Sequence, residues 1–247
     1  MRLVVLGLLA ALLPLSAQAG QSVTYKVDGA PYEGYVAKAP GQAKGLVVIV
    51  HDWDGLTGYE EKRADMLAAL GYDAFAVDLY GKGNRPTDVA GNKRESGRLY
   101  KDRARMRSLM LGGLAEARRL SGAKTVVIGY CFGGSAVLEM ARSGKAQGVA
   151  GYATFHGGLA TPPGESYPKN TPPILIEHGG ADTSVPPSQA FDLAKLLEAK
   201  GISYEIDLYS GAPHAFTVFG GNRYRKLADE LSWKKFQDFL HRMLSTS

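Results

Sequence analysis

The stretch Thr125-Val126-Val127-Ile128-Gly129-Tyr130-Cys131-Phe132-Gly133-Gly134 decides the fold of this chain. Its first half is rich in β-branched residues, which is typical of a short buried strand, and helix-forming residues follow from Ala136 to Ala141. Between them, Gly129 and Gly133 lack a Cβ atom, so the backbone can turn sharply around Cys131. A strand, a tight turn and a helix together predict a nucleophile elbow that exposes Cys131 above a sheet. The alternative is that Cys131 is a small buried apolar residue, as free cysteines often are.

The predicted elbow also has consequences for the chemistry of the thiol. It would place the sulfur of Cys131 near the positive end of the following helix. A thiolate is stabilised there, so the sequence predicts a pKa for Cys131 below the free value of about 8.5.

Size, charge and cysteine content limit the possible protein classes. A chain of 247 residues with 45% hydrophobic residues predicts one α/β domain. The net charge of +5 is modest and mixed in sign, which argues against a dedicated nucleic-acid-binding protein. Cys131 is the only cysteine, and this excludes an intramolecular disulfide and a multi-cysteine metal site.

The N-terminus has the pattern of an export signal. Arg2 precedes an apolar run over residues 3–15, and Ala17-Gln18-Ala19 forms a small-x-small cleavage site. We therefore expect a signal peptide over residues 1–19, a single mature domain over residues 20–247, and a periplasmic or secreted protein. The run is short for a membrane span, and an uncleaved anchor is the alternative. After cleavage we expect no membrane association.

Strands and helices alternate along the mature chain. Two segments of alternating polarity, joined by Asp28-Gly29-Ala30-Pro31, predict an antiparallel hairpin at a sheet edge. Continuous apolar runs predict strands that are buried on both faces, and segments with helical spacing separate them. The predicted strands cover residues 23–27, 32–37, 45–50, 72–79, 126–128, 147–155, 174–178 and 203–209, and the predicted helices residues 59–70, 96–120, 136–141, 188–200 and 225–244. This order predicts a doubly wound, mostly parallel sheet of the α/β class.

One segment interrupts the regular alternation. Residues 81–95 are rich in Gly, Asn, Pro and charge, which predicts a surface loop or lid. The helix predicted after it carries a basic run: Arg98, Lys101, Arg103, Arg105 and Arg107. Acidic residues interrupt this charge, so we interpret the run as a solvated helix face rather than a surface for an anionic partner.

Three residues with catalytic potential follow predicted strands. Cys131, Asp182 and His214 each lie just beyond a strand's carboxyl end, where open α/β sheets form their sites. Their order, nucleophile then acid then histidine, is that of the α/β-hydrolase arrangement. A thiol needs a base within hydrogen-bonding reach, and the base needs a carboxylate to orient it. Alone, Asp182 could be a turn-capping residue and His214 a surface histidine, but together the three predict a triad.

Four motifs combine at these positions: Gly129-Tyr130-Cys131-Phe132-Gly133-Gly134, Gly179-Gly180-Ala181-Asp182-Thr183-Ser184-Val185-Pro186, Pro213-His214-Ala215-Phe216 and Asp78-Leu79-Tyr80. As a set they resemble the dienelactone hydrolase family of α/β-hydrolases, and the resemblance extends from Tyr32 to Leu240.

The resemblance implies a role for each site residue. Cys131 would be the nucleophile, His214 the base and Asp182 its orienting acid. The backbone N–H groups of Phe132 and Trp53 would form the oxyanion hole. Family members carry a glutamate before the second of these donors to hold the resting thiol, and here the shorter Asp52 stands in its place.

The same resemblance bears on the substrate. Founding lactone hydrolases of the family bind a substrate carboxylate with two arginines, where this chain has Lys82 and Val218. Lysine keeps the charge without the bidentate fork, so Lys82 remains a candidate substrate-binding residue, whereas valine keeps neither. An anionic dienelactone is therefore not expected as the substrate.

Aromatic and histidine side chains near the predicted site have two interpretations. Tyr80, Tyr130 and Phe216, together with Trp53 and Phe155, are predicted to line an apolar substrate pocket, although each could equally be a core residue. His51, His156 and His178 follow strands near the same edge. Without carboxylates at ligand spacing we interpret them as loop or wall residues, and we expect no metal and no cofactor.

The sequence therefore predicts an exported, monomeric hydrolase that cleaves a small carboxylic ester or lactone through an acyl-thioenzyme. One alternative is a non-catalytic ligand-binding protein with the same fold. Another is a thiol-dependent acyltransferase or peptidase.

Overall fold

A computed structural model of the protein describes residues 19–245. Apart from its last residue, the predicted signal peptide lies outside the described residues. Within this part of the chain, no helix has the length and apolar character needed to cross a membrane.

Eight strands form one sheet in the order β1-β2-β4-β3-β5-β6-β7-β8. Their bounds are β1 Gln21–Val27, β2 Ala30–Ala37, β3 Leu46–Val50, β4 Asp73–Val77, β5 Thr125–Tyr130, β6 Val149–Phe155, β7 Ile174–Gly179 and β8 Tyr204–Tyr209. The hairpin of β1 and β2 joins β4 in antiparallel orientation, and all later neighbours are parallel. The predicted mostly parallel α/β sheet with an edge hairpin is confirmed.

Helices cover both faces of this sheet. They are α1 Gly58–Ala69, α2 Val89–Lys101, α3 Arg103–Leu120, α4 Phe132–Ser143, α5 Ser188–Lys200 and α6 Lys226–Leu244. The central strand β3 shows why both faces need cover, since Val48 and Val50 pack in the core under α3, α4 and α5. The alternate residues Val47 and Ile49 pack on the other face, with α1 and α6.

The region between β4 and β5 differs from the prediction in two ways. The predicted loop over residues 81–95 is partly helical, because Asp88 caps the start of α2 by accepting a hydrogen bond from the N–H of Gly91. The predicted single helix over residues 96–120 is two helices. Asp102 ends α2 and begins α3, where its side chain accepts from the N–H of Arg105. Aspartate is a typical helix-capping residue, but the helical periodicity continues through Asp102 and so predicted one helix.

The basic run is also more than a solvated face. Arg103 and Arg107 both pair with Glu139 of α4, whose carboxylate is buried, and Arg105 pairs with Asp28 of the edge hairpin. These arginines therefore hold α3 against α4 and the hairpin. The interpretation as a purely solvated surface is wrong for these three positions.

Candidate active site

Cys131 lies at the turn between β5 and α4, with φ of 50° and ψ of −112°. A non-glycine residue with positive φ is uncommon, and such strain is typical of a functional turn. The two flanking glycines make the turn possible. A Cβ atom on Gly129 would lie 2.2 Å from the carbonyl oxygen of Gly133, and one on Gly133 would lie 2.2 Å from that of Val50. The sharp turn therefore brings Cys131 to the carboxyl edge of the sheet.

The other two predicted triad residues meet Cys131 at this edge. Asp182 follows β7 and His214 follows β8. His214 Nδ1 lies 2.8 Å from Asp182 Oδ2, and His214 Nε2 lies 3.1 Å from the sulfur of Cys131. Acid, imidazole and thiol thus form one continuous hydrogen-bonded line.

The Asp182 carboxylate is held in a defined orientation. Its Oδ1 atom accepts the backbone N–H groups of Ser184 and Val185, each at 2.8 Å, which leaves Oδ2 for His214. Burial alone would raise the pKa of Asp182, but the hydrogen bonds from His214 and Val185 hold it below its ordinary value. An ionised Asp182 requires a proton on Nδ1 of His214. Nε2 is then free to accept the thiol proton.

The thiol itself differs from the prediction. Burial raises the pKa of Cys131 well above its usual range, and the neighbouring Asp52 carboxylate raises it further. The N–H of Phe132 acts in the opposite direction but does not offset these two effects. The predicted lowering of the Cys131 pKa is therefore wrong, because the sulfur meets an acid as well as a helix N-terminus. A raised pKa favours the neutral thiol form of Cys131.

Asp52 lies where the resemblance implied a thiol-holding acid. It is buried, and desolvation together with the nearby Asp54 carboxylate raises its pKa to about 6. Its Oδ1 atom accepts the backbone N–H of Trp53, which is one of the two predicted oxyanion-hole donors. The other predicted donor, the N–H of Phe132, interacts with the sulfur of Cys131. The Phe132 N–H thus interacts with the sulfur directly, whereas the Trp53 N–H is occupied by Asp52, whose side chain hydrogen-bonds to Cys131.

The loop that carries Asp52 and Trp53 is fixed by Glu60, which the sequence reasoning missed. One oxygen of its buried carboxyl accepts the N–H of Asp52 at 3.2 Å, and the other accepts the N–H and hydroxyl of Thr57, each at 2.9 Å. Burial raises the pKa of Glu60 to about 8. The signal was the capping box formed by Thr57 and Glu60 at the start of α1.

The predicted aromatic pocket residues separate into two groups. Tyr80 lies beside the site, since its hydroxyl donates to the carbonyl of Trp53 at 2.8 Å and its ring lies 5.9 Å from that of Phe132. Tyr130 and Phe216 are fully buried. Tyr130 packs in the core that α1 and α6 cover, and Phe216 packs beneath the loop that carries His214. The prediction that these two line the pocket is wrong, because both side chains are packed inside the protein with no exposed surface.

The predicted substrate cation, Lys82, points toward the edge hairpin. Its ammonium group donates to the hydroxyl of Thr24 at 2.8 Å and lies 3.5 Å from the Glu33 carboxylate. The other cation of this loop, Arg85, lies 3.3 Å from the buried Asp78 carboxylate and donates to backbone carbonyl groups. Both cations are therefore engaged by protein groups.

The three strand-end histidines support loops around the site. His51 Nε2 accepts the N–H of Leu79 at 3.1 Å, so its Nδ1–H donates to the carbonyl of Asp52 at 2.6 Å, and burial lowers its pKa to about 4. His178 Nε2 lies 2.9 Å from the carbonyl of Val185. His156 contacts the loop after His214. Over residues 19–245, no group of three or more His, Cys, Asp or Glu side chains is arranged to hold a metal ion.

Tyr100 of α2 is a further residue at this site that the sequence placed only in a helix core. Its ring meets that of Phe132 edge-on at 5.3 Å, and its hydroxyl donates to Ser135 Oγ at 3.0 Å. Burial raises its pKa to about 12. Tyr100 remains partly exposed beside the turn that carries Cys131.

The chain is similar to known proteins in sequence and in fold. The dienelactone hydrolase family model matches residues 32–244. A carboxymethylenebutenolidase from Rhodococcus opacus is 25% identical over 239 residues, which cover 91% of this chain and 91% of the relative. Protein usf from Aquifex pyrophilus is 29% identical over 209 residues, 80% of this chain and 87% of the relative. The crystal structure of a dienelactone hydrolase-like promiscuous phosphotriesterase from metagenomic libraries is 26% identical. It superposes with a TM-score of 0.83 over 92% of this chain and 99% of that one.

Proposed function

The chain belongs to the dienelactone hydrolase family, and from this premise we propose that it hydrolyses an uncharged carboxylic ester or lactone through an acyl-thioenzyme on Cys131. The observation that carries the proposal is the hydrogen-bonded line from Asp182 through His214 to the sulfur, with distances of 2.8 and 3.1 Å. Geometry of this kind makes a thiol a nucleophile and an imidazole its base.

The first half of the reaction forms the acyl-enzyme. Nε2 of His214 takes the proton of Cys131 as the sulfur attacks the substrate carbonyl carbon. The carbonyl oxygen becomes an oxyanion, for which the N–H groups of Phe132 and Trp53 are the donors. The N–H of Trp53 becomes available when the substrate oxygen displaces the Asp52 carboxylate. The imidazolium then donates its proton to the leaving alcohol, and a thioester remains.

The second half releases the acid. His214 removes a proton from a water molecule, whose oxygen attacks the thioester carbonyl, and the proton then returns to the sulfur as the thiol leaves. Asp182 keeps the imidazole in the required tautomer and stabilises its positive charge in both halves. The proton transfers between Cys131 and His214 use groups that are already within hydrogen-bonding reach.

A substrate panel tests the proposal directly. Purified protein is assayed with short-chain chromogenic esters, neutral lactones and carboxylated lactones. A neutral phosphotriester is included because one similar solved structure is that of a promiscuous phosphotriesterase. Mass spectrometry of acid-quenched enzyme tests for an acyl group on Cys131. Binding without turnover would favour a ligand-binding protein, and diversion of product by added alcohols or amines would favour an acyltransferase or peptidase.

The role of Asp52 is open to a separate experiment. Asp52→Asn is expected to lower the pKa of Cys131, because it removes a negative charge that disfavours the thiolate. Iodoacetamide should therefore alkylate the variant faster than the wild type at neutral pH, with the midpoint of the pH–rate curve at lower pH. Asp54→Asn is the matched control and should have a smaller effect. Identical curves for wild type and Asp52→Asn would contradict a thiol-holding role.

The charges around the site support an uncharged substrate. Asp52 and Asp54 lie near the nucleophile, whereas Lys82 and Arg85 are engaged by Glu33 and Asp78. Transferring a carboxylate into a site without free donors costs several kcal/mol. An ester or lactone with no free acid avoids this cost.

We expect neutral substrates to have a higher kcat/KM than matched substrates with a free carboxylate. Val218→Arg combined with Lys82→Arg should shift the ratio toward the anion by about 1–3 kcal/mol, the scale of charge-assisted hydrogen bonds. Paired kcat/KM measurements on an ester and its carboxylated analogue provide the ratio.

Val218→Gln combined with Lys82→Arg is the control, because it introduces a polar side chain at position 218 without a positive charge. It should leave the ratio near that of Lys82→Arg alone. A wild-type preference for the carboxylated substrate would contradict the inference and would indicate another cation, such as Arg85 or Lys93, as the anchor.

We also propose that the chain is exported, that a signal peptidase cleaves it after Ala19, and that the mature domain is a monomer. The apolar run and the Ala17-Gln18-Ala19 site support the first two statements. Intact-mass measurement of protein from the periplasm or medium tests for a chain beginning at Gly20, and light scattering tests the oligomeric state.

A further inference from the structure

His214 lies on an irregular loop rather than on a helix or strand. β8 ends at Tyr209, and Ala215, directly after the histidine, has φ of 62°. A left-handed alanine is strained and persists only where surrounding contacts hold it. Hydrogen bonds from the ring to Asp182 and Cys131 orient the imidazole, but they do not explain what holds the backbone that carries it.

Thr217, three residues after His214, provides that attachment. Its side chain is fully buried, and its Oγ1 atom lies 2.8 Å from His156 Nε2 and 2.7 Å from the hydroxyl of Tyr59. Its carbonyl oxygen accepts a hydrogen bond from Arg63 Nη2 at 3.0 Å. The loop is therefore bound to the end of β6 through His156 and to α1 through Tyr59 and Arg63.

Arg63 also fixes the Tyr59 end of this attachment, because a guanidinium can only donate. Arg63 Nε donates to the Tyr59 oxygen at 3.3 Å, and the Tyr59 and Thr217 hydroxyls share a hydrogen bond in which either oxygen can be the donor. Thr217 Oγ1 shares a second hydrogen bond with His156 Nε2, whose direction is set by the tautomer of His156.

The far end of this chain of hydrogen bonds is firmly anchored. Arg63 is buried, forms an ion pair with Asp229 of α6, and its guanidinium carbon lies 4.3 Å from the ring centre of Phe219 and 4.9 Å from that of Trp233. A desolvated cation between aromatic rings is stabilised by their negative faces. The hydrogen bonds to Thr217 therefore start from a rigid point.

His156 connects the same chain to the imidazole of His214. Their ring centres are 5.4 Å apart and the rings meet edge to face at 67°. Burial, and the proximity of His214, keep the pKa of His156 well below its usual range, so its ring is neutral. A neutral ring does not repel the imidazolium that forms on His214 during the reaction, whereas a second cation would.

We propose that Thr217 is a positioning residue for His214: its hydroxyl, held between His156 and Tyr59, fixes the loop that carries the base, and the ring of His156 limits rotation of the imidazole. The inference rests on the proposed role of His214 as the base. It identifies a buried hydroxyl that touches neither substrate nor sulfur and still determines the turnover number.

Thr217→Val tests the inference, because valine keeps the shape of the side chain and removes both hydrogen bonds. We expect kcat on a neutral chromogenic ester to fall by about 10–100-fold with little change in KM, the scale of a small misplacement of a reacting group. Thr217→Ser, which restores the hydroxyl, should recover most of the wild-type kcat. Tyr59→Phe, which leaves the bond to His156, should have an intermediate effect.

A spectroscopic measurement separates this inference from the proposed function. The Nδ1–H proton of His214, bonded to Asp182, should give a downfield resonance in histidine-labelled protein without substrate. Thr217→Val should shift or broaden this signal, and Thr217→Ser should restore it. If wild-type protein hydrolyses no ester, the proposed function fails, and this resonance still decides whether Thr217 positions the ring.

Thr125→Val is the matched control for loss of a buried hydroxyl, since Thr125 lies at the opposite end of β5 and bonds only to the carbonyl of Ala123. It should lower Tm without changing kcat or the resonance. If Thr217→Val behaves in the same way, the positioning role is contradicted. If Thr217→Val does not fold, Tyr59→Phe decides: an unchanged kcat and resonance in that variant overturn the inference.

Discussion

Cys131→Ala is expected to lower kcat for ester hydrolysis by about 10⁴–10⁶-fold, because removal of the nucleophile leaves only the oxyanion donors and substrate binding. The sulfur is the only group within hydrogen-bonding distance of His214 Nε2 in the described part of the chain, at 3.1 Å. No acyl-enzyme can form on alanine, so the quenched protein should also show no added mass. Steady-state assays and intact-mass spectra on the same preparations provide both measurements.

Cys131→Ser is the matched control for this prediction. It keeps a hydrogen-bonding group at the elbow but replaces the thiol with a weaker nucleophile, so a trace of activity should remain. Both variants should retain the wild-type far-ultraviolet spectrum, because the elbow backbone depends on Gly129 and Gly133 rather than on the sulfur. Substantial turnover by Cys131→Ala would exclude the thioenzyme mechanism.

Asp182→Asn is expected to reduce kcat by about 10³–10⁴-fold through a change of the His214 tautomer. Oδ1 of Asp182 accepts two backbone N–H groups, so the amide oxygen of asparagine must take that position. The amide NH₂ group then faces Nδ1 of His214. Because an NH₂ group can only donate, Nδ1 must accept this hydrogen bond and cannot carry the ring proton. The ring proton moves to Nε2, opposite the thiol, and the histidine can no longer act as a base.

Kinetic constants and Tm for this variant check the prediction. KM should change little, because Asp182 contacts the histidine rather than the substrate. Asp192→Asn, an equal change of charge on an exposed residue of α5, should behave as wild type. A loss of less than tenfold would mean that another carboxylate, for which Asp52 is the nearest candidate, orients His214.

Local sequence patterns predicted most of the fold. The β-branched runs, the turn residues between β1 and β2 and the helical periodicities predicted the mostly parallel sheet and its edge hairpin, because these patterns reflect short-range backbone preferences. The two exceptions were the start of α2 within the predicted loop and the break at Asp102, where a capping bond to the N–H of Arg105 interrupts the predicted continuous helix. A single capping side chain can end one helix and begin another, and the spacing of apolar residues gives no indication of such a break.

The side chains of the candidate site were also predicted only in part. Its three central residues were identified from motif and order, and the structure brings them into contact. The aromatic residues were harder to assign. Tyr130 and Cys131 are adjacent, yet Tyr130 packs in the core with α1 and α6 while the sulfur meets His214 above the sheet. Tyr130 is the last residue of β5 and Cys131 lies in the turn after it, where a positive φ changes the direction of the backbone, and the sequence does not state which side holds the site.

By itself, then, the sequence determined the order of strands and helices, the elbow at Cys131 and the chemical capacity of Cys131, Asp182 and His214, because each depends on residues close together in the chain. Only the tertiary structure decided the pKa of the thiol, the engagement of Lys82 with Thr24, and the attachment of the His214 loop to Arg63. These properties arise from burial and from contacts between distant segments, such as the 154 residues that separate Arg63 from Thr217. The free energy of a charge or hydrogen bond depends on its surroundings, and the fold alone sets those surroundings.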